Sequence, residues 1–462
     1  MLTKVAPGIA TLTTNLLIGR LGGAPLLGLT QTAISTAALT SLAYPGPAAS
    51  AASRFVSASV AAEEPEKAAA VASYLARRVL VAIACLIVLI LGGSLLFKVD
   101  SIVVVVVSCV MTAGISLRVF VEGLHFGGGQ GRRLAIWSVV VAGVGIAGSA
   151  LLLVAGNRTA WVIVPVAVAN MVFALVTWPP SSSVSLEPSE RKVIRHFILI
   201  AALGTLASAG FVQLTTLVAN ITAGVTFAGE YAAGLTLTTP LAILATAISA
   251  TLFPALSAMQ VGASREVVRH RITEASSILT WLIGAAVCGM IIVSELLVDV
   301  VWGKDYPNTW WILLFLLMGT LATTVAVPSV TALTSSSNRG MLISAGSSFL
   351  GAIAGTVAWV ILIPIAGELG VMIGCAVATV LTGLVPYAII WKRWGMRWGR
   401  STVELIAMVA VSVSLAMSVR LGYVDILLSP VLAVAVVALW VLLRRRDVRS
   451  VWTIVASMRG RK

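Results

Sequence analysis

Charge is scarce in this 462-residue chain: only 10% of residues are Asp, Glu, Lys or Arg, while 59% are hydrophobic. A soluble protein of that balance, with mean hydropathy +1.04, lacks the polar surface needed to stay dispersed. Metal and thiol chemistry are equally thin. The four cysteines, Cys85, Cys109, Cys288 and Cys375, fall inside apolar runs without metal-ligand spacing, so they read as small buried apolar residues and not as a disulfide framework. Only three histidines occur, His125, His196 and His270. There is no G-x-x-x-x-G-K-[ST] cradle for phosphates, which excludes an ATP-driven pump in one chain, and no H-E-x-x-H or Cys/His cluster that would suggest a metal site. The longest connections, 56–75, 179–194 and 258–274, are too short to fold a nucleotide-sugar transferase domain. No catalytic constellation is visible, and neither an enzyme nor a cofactor is expected.

What the chain does have is apolar blocks of roughly 18–25 residues, the length of a membrane-crossing helix. Fourteen are expected, near 5–20, 27–55, 76–97, 101–124, 133–155, 159–178, 195–220, 226–257, 275–299, 308–334, 341–365, 370–391, 402–420 and 426–443. The first is short and broken by Pro7, as expected of a start that has lost a few residues, and no small-residue cleavage site follows it. With the N-terminus cytoplasmic and connections alternating, the inner side carries 25 Lys and Arg and the outer side five: Arg20, Lys98, Arg158, Lys304 and Arg420. This is the positive-inside pattern, and it puts both termini in the cytoplasm. The net charge of +14 is therefore a topology signal and an attraction for anionic membrane lipid, not a nucleic-acid footprint.

The expected fold class is an all-α polytopic membrane protein: two six-helix lobes around a central cavity plus two C-terminal helices. The Pro- and Ser-rich segment TWPPSSSVSLEPSERK marks the linker. Expected divisions are an N-terminal lobe (1–178), a cytoplasmic linker (179–194), a C-terminal lobe (195–394), two extra helices (395–443) and a basic cytoplasmic tail (444–462). The lobes look alike at an offset of roughly 205 residues. RLGGAPLLG (20–28) pairs with ITAGVTFAG (221–229), GGGQGRR (127–133) with SSSNRG (335–340), and GNRTAWVIVPVAVAN (156–170) with GELGVMIGCAVAT (367–379). Six spans return the chain to its starting side, so these would be parallel repeats, which commonly rock to give alternating access.

Ionisable residues within spans are few, and each is costly there unless paired or employed. Arg118, Glu122 and His125 share one face at the inner end of the fourth span, either as an interfacial ion pair or as a cavity-facing cluster in which Arg118 meets a phosphate and Glu122 takes a proton. Arg20 and Arg54 lie near opposite ends of the first hairpin, as headgroup anchors or as ligand contacts. Glu230 is expected at the outer surface in the first turn of the eighth helix, where the helix dipole favours a carboxylate, with ion coupling as the alternative role. Glu295 and Asp299 end the ninth span and read as interfacial. Asn15, Gln31, Asn170, Gln213 and Asn220 each suit an interhelical hydrogen bond; together they would suit the wet lining of a cavity. Prolines at 45, 47, 165, 240, 254, 328, 364 and 386 invite kinks.

The eighth-span stretch AGEYAAGLTLTTPLAILATAISATLFPALSAM (228–259) resembles the G-x-Y…lfP-x-ls pattern of bacterial polysaccharide flippases. ELLVDVVWGKDYPNTWWILLFLL (295–317) resembles their lfG-x-x-Y loop, and RLGGAPLLGLTQTA (20–33) their first outer loop. That family, of O-antigen and teichoic-acid type, belongs to the multidrug/oligosaccharidyl-lipid/polysaccharide (MOP) exporters. The resemblance implies a bacterial cytoplasmic-membrane protein that flips a polyprenyl-diphosphate-linked oligosaccharide outward for cell-surface polysaccharide biosynthesis. It also implies a monomer beside membrane lipids and cell-envelope glycosyltransferases or a polymerase. Under it, Arg20, Arg54 and Arg118 become candidate diphosphate contacts, since guanidinium forks match phosphate oxygens. Glu122 and Glu230 become candidates for ion coupling. A first hairpin with only two arginines departs from the lipid II branch. The drug/cation antiporter branch, with carboxylates deep in its first lobe, is the alternative, and Glu122 near the inner end is its only match.

Overall fold

The computed structural model describes residues 2–96, 101–179, 182, 184–259, 265–336, 338–396 and 398–443. The expected basic tail (444–462) lies outside them, as does Lys98. Among the described residues the chain is helical, without strands. The helices are α1 (Leu2–Ala43), α2 (Pro45–Ala61), α3 (Pro65–Leu96), α4 (Ile102–Gly127), α5 (Gly131–Val154), α6 (Val164–Val176), α7 (Pro188–Thr205) and α8 (Phe211–Met259). They continue with α9 (Arg265–Ile292), α10 (Ser294–Val301), α11 (Thr309–Val325), α12 (Val327–Ser336), α13 (Asn338–Ala366), α14 (Glu368–Trp394), α15 (Gly399–Arg420) and α16 (Ser429–Leu443). Ten described helices are long and apolar enough to cross a membrane, eleven with the bent pair Thr309–Val325 and Val327–Thr334. Two of the ten are two helices joined at a kinked glycine, and the shorter apolar helix Ala160–Val176 matches the expected sixth span. Counted that way, the fourteen expected spans all have a helix. This is an all-α polytopic membrane protein.

The two breaks have one cause. In α1 the chain turns at Gly23 (φ 77°, ψ 176°), and in α8 at Gly224 (φ 84°, ψ 175°). This region of backbone space is essentially closed to residues with a Cβ. The two glycines stand at the same place in the paired segments RLGGAPLLG and ITAGVTFAG. A second pair, Gly156 and Gly367, also shares positive φ at the head of the third paired segment.

The contacts divide the chain into two compact units, residues 1–236 and 237–462. In the first, α4 packs against α1, α2 and α6, and α5 against α1 and α6. Lipid supplies no hydrophobic drive between spans, so close approach of small residues matters most. Gly123 of α4 meets the Ala49 backbone of α2, and four residues on Gly127 meets Ala52. Phe120, Phe173 and Leu75 fill the core beside this seam. After the linker, α7 starts on a capping box formed by Glu187 and Glu190, which satisfies two exposed backbone donors. A single π turn (Leu206–Gly210) joins α7 to α8.

In the second unit, α9 packs on α11, α15 and α16, and α13 pairs with α14. Buried indoles tie these helices together: Trp359 Nε1 donates to the Val371 carbonyl at 2.9 Å, and Trp440 Nε1 to the Trp281 carbonyl at 2.9 Å. Glu295, expected at an interface, pairs with half-exposed Arg420 at 2.7 Å.

Several details correct the sequence reading. Cys288 and Cys375 are buried and Cys109 of α4 is half-buried, but Cys85 is exposed, because α3 presents a broad apolar face with Val81, Val88 and Leu89 outward. Such a face suits hydrocarbon, where a thiol needs no cover. Pro165 starts α6 and does not kink it, a position where the missing N–H costs nothing. Pro45 breaks the second span outright, separating α1 from α2 at Tyr44.

Candidate functional site

Three buried polar residues of the first unit, Thr14, Asn15 and Asn170, line a pocket of about 260 Å³ together with Arg118 and Glu122. Helical periodicity supplies its walls. Thr11, Thr14 and Asn15 lie on one face of α1; Met111, Ile115, Arg118 and Glu122 form a stripe along α4; Gly145 of α5 and Asn170 of α6 close it.

Arg118 is the hub. Its Nε donates to Glu122 Oε1 at 2.9 Å, and its Nη1 to Asn170 Oδ1 at 3.0 Å. The two charged side chains are 14% and 13% exposed, so the pair is held largely away from solvent, where its Coulomb energy is strong and its desolvation costly. Both remaining valences point to a polar guest. Arg118 Nη2 is buried with no hydrogen-bond partner in the protein, and so is Asn15 Oδ1. The Asn15 orientation is fixed chemically: its Nδ2 donates to Thr236 Oγ1 at 2.9 Å, while that hydroxyl spends its own proton on the Ala232 carbonyl at 2.8 Å. The pocket thus offers one guanidinium donor and one amide acceptor beside an internally neutralised carboxylate. It suits a phosphate oxygen or a hydroxyl better than a free metal cation, and among the described residues no cluster of His, Cys, Asp and Glu could hold a metal.

The other expected site residues lie elsewhere. Arg20 is exposed beside the Gly23 turn. Arg54 is exposed on α2 and stacks on Phe55 and Phe197, 5.6 and 5.1 Å from their centroids. Gln31, 8% exposed, reaches Ser35 Oγ at 3.4 Å along its own helix and leaves Oε1 without a partner, as does half-buried Gln213. Asn220 is half-buried near the Gly224 turn. His125, on the Arg118 face of α4, bonds Gln130 Oε1 at 2.9 Å and does not line the pocket.

Glu230 overturns its expected position. It is 2% exposed, six residues beyond the Gly224 turn and past the first helical turn, so it does not cap an exposed helix end. Its neighbours explain the depth. A Cβ on Gly229 would overlap the Ala24 carbonyl oxygen, and one on Gly28 would overlap the Val225 carbonyl oxygen. These contacts exchange under the repeat, 24 with 225 and 28 with 229, so the second and eighth spans cross backbone to backbone. Tyr231 is fully buried, and its hydroxyl donates to the Val212 carbonyl at 3.3 Å. Sequence reasoning missed Thr236 as the partner of Asn15; its one signal was the Thr-rich run TLTT.

No protein-family model matches the sequence, and no curated protein does. Solved structures match over nearly the whole chain. A lipid II flippase, MurJ, in an inward closed conformation superposes with TM-score 0.70 at 11% identity, covering 97% of this chain and 99% of that one. The chain has the fold of that transporter. An inward-facing multidrug-resistance MATE family transporter of the MOP superfamily gives TM-score 0.67 at 14% identity, covering 86% and 94%. A MOP superfamily transporter from Pyrococcus furiosus, whose binding pocket is described as reversed in polarity, gives 0.53 at 16% identity, covering 86% and 93%. With this fold, the Arg118 pocket lies wholly within the first unit.

Proposed function

We propose that the chain is a transporter that flips a polyprenyl-diphosphate-linked oligosaccharide from the cytoplasmic to the outer leaflet by alternating access. The observation that carries this reading is the buried, under-satisfied guanidinium of Arg118, held by Glu122 and Asn170 inside a fold shared with a lipid flippase. A phosphate-linked glycan needs fixed donors along its path, while its prenyl chain stays in hydrocarbon. Protonation of Glu122 would release Arg118 to such a ligand, which couples ligand binding to proton movement without a second site. The bacterial cytoplasmic membrane, cytoplasmic termini and a monomer working beside glycosyltransferases or a polymerase complete the proposal.

One observation favours a second reading. The same Arg118–Glu122 pair would serve proton-coupled export of a small molecule, and the fold is also that of a multidrug transporter. Deleting the gene separates the two. Lipid-linked oligosaccharide accumulating in the inner leaflet, with loss of surface polysaccharide, is the expected result. Unchanged glycan with new drug sensitivity would replace the first reading by the second.

A further inference from the structure

A different cavity of the first unit, about 450 Å³, is lined by Tyr44, Arg78, Lys192, Arg195 and His196 above Ile198 and Leu199. Three separate elements build it. Tyr44 sits at the break between α1 and α2, Arg78 comes from α3, and the other basic residues come from the first turns of α7. Its depth is set by helix length. Arg78 lies 18 residues before the end of α3 at Leu96, about 27 Å along the axis, close to the thickness of a bilayer core. The charge asymmetry assigns this end to the cytoplasm, so the cavity sits at the inner headgroup level.

The cations there are left without counter-charges. Among the described residues no carboxylate lies within ion-pair distance of Arg78, Lys192 or Arg195. The nearby acids are engaged: Glu190 pairs with Lys67 at 2.8 Å, and Glu187 caps α7. The basic residues also crowd the N-terminal turns of a helix, the end whose dipole already repels cations. Arg78 is further held by stacking on the Tyr74 ring at 5.1 Å, with Arg191 near the same ring at 6.0 Å. The Tyr44 hydroxyl is buried beside the Arg78 charge without a hydrogen-bond partner of good geometry.

The stripe continues as hydrocarbon. Along α7, Lys192, Arg195 and His196 are followed on the same face by Leu199 and Leu203, which are 58% and 45% exposed. A cationic cradle that runs into an exposed apolar track suits an anion carried on a chain. We infer that this cavity is a binding site for the phosphate headgroup of an inner-leaflet lipid, separate from the Arg118 pocket. Basic pockets between spans on the cytoplasmic side are where anionic headgroups gain most.

The test is native mass spectrometry of the full-length protein in detergent, titrated with phosphatidic acid, with a polyprenyl phosphate, and with inorganic pyrophosphate. Arg78→Gln with Arg195→Gln should weaken both lipids by about fivefold per charge removed. Arg78→Lys with Arg195→Lys should restore most of the binding, and Tyr44→Phe should weaken it without changing charge. Arg132→Gln with Arg133→Gln removes equal charge from the exposed start of α5, outside the cavity, and should leave binding intact. Equal loss in the two double variants would show diffuse attraction and overturn the site. Pyrophosphate binding as tightly as the lipids would overturn the role of the chain. Tighter polyprenyl phosphate would identify the lipid-linked cargo class as occupant, and equal affinities a membrane phospholipid; both results sustain the site.

Discussion

At the scale of residues, the Arg118–Glu122 pair is where charge, burial and function meet. Removing one member strands the other: Arg118→Ala leaves a carboxylate at 13% exposure without its cation. We expect it to cost about 1–3 kcal/mol, between the values for exposed and fully buried pairs. The double replacement Arg118→Met with Glu122→Met should recover much of that stability, because neither charge is left alone. Thermal inactivation in detergent reads the first effect, and equal loss in single and double variants would show the two charges uncoupled. Under the proposed function export should fail in both, which separates a working pair from a structural one. The pair was legible in sequence because its members are four apart on a helix. Asn170 and Thr236 were not legible as its neighbours, since they join Arg118 and Asn15 across 52 and 221 residues of chain. Glu230 was misplaced for a related reason. Hydropathy gives a soft edge to an apolar block, whereas the helix restarts at one glycine, and a carboxylate one turn deeper answers to its packing and not to the helix end.

At the scale of elements, glycines set where spans turn and how closely they cross. Gly23→Ala and Gly224→Ala should each destabilise the protein by about 1–3 kcal/mol, the cost of holding a Cβ in that backbone region. Gly92→Ala on α3 is the matched control: its added methyl meets nothing within 4 Å and its helix gains propensity, so stability should hold or rise. Similar losses at all three positions would mean that backbone conformation is not the cause. The crossing of the second and eighth spans makes a sharper demand, since at Gly28 and Gly229 any side chain runs into a carbonyl of the opposite helix. Gly28→Ala and Gly229→Ala should therefore be comparably destabilising, by about 1–3 kcal/mol each from overpacking. A large effect at one and none at the other, by the same inactivation assay, would break the symmetry argued from the repeat. These elements were readable because paired segments keep their glycines in register. The break at Tyr44, the π turn and the basic cavity beside them were not, because Lys192, Arg195 and His196 read as ordinary inner-side charge until α3 and α7 bring them to Arg78.

At the scale of the whole molecule, the span count and the charge pattern support one another. An even number of crossings returns the chain to its first side, and alternating connections then place the Lys and Arg excess on one face. Both were available from the sequence, since each apolar block is long enough to announce itself and the turns between blocks carry the charges. The occupant of the Arg118 pocket was not, because a guanidinium and two amides admit phosphate, hydroxyl and water alike. Sidedness has a direct check that needs no substrate. With the four native cysteines replaced by alanine, single cysteines at Ala62 and Ser189 mark connections assigned to the cytoplasm, and Lys304 and Tyr423 mark connections assigned outside; all four positions are exposed. A membrane-impermeant maleimide should label Lys304→Cys and Tyr423→Cys in intact cells, and Ala62→Cys and Ser189→Cys only in inverted vesicles. Labelling of Ser189→Cys and Tyr423→Cys from the same side would place an even number of crossings between the linker and the last turn, where seven are assigned. If that side is the outer one, the basic cavity beside α7 faces the outer leaflet, where the charge asymmetry offers no reason for it.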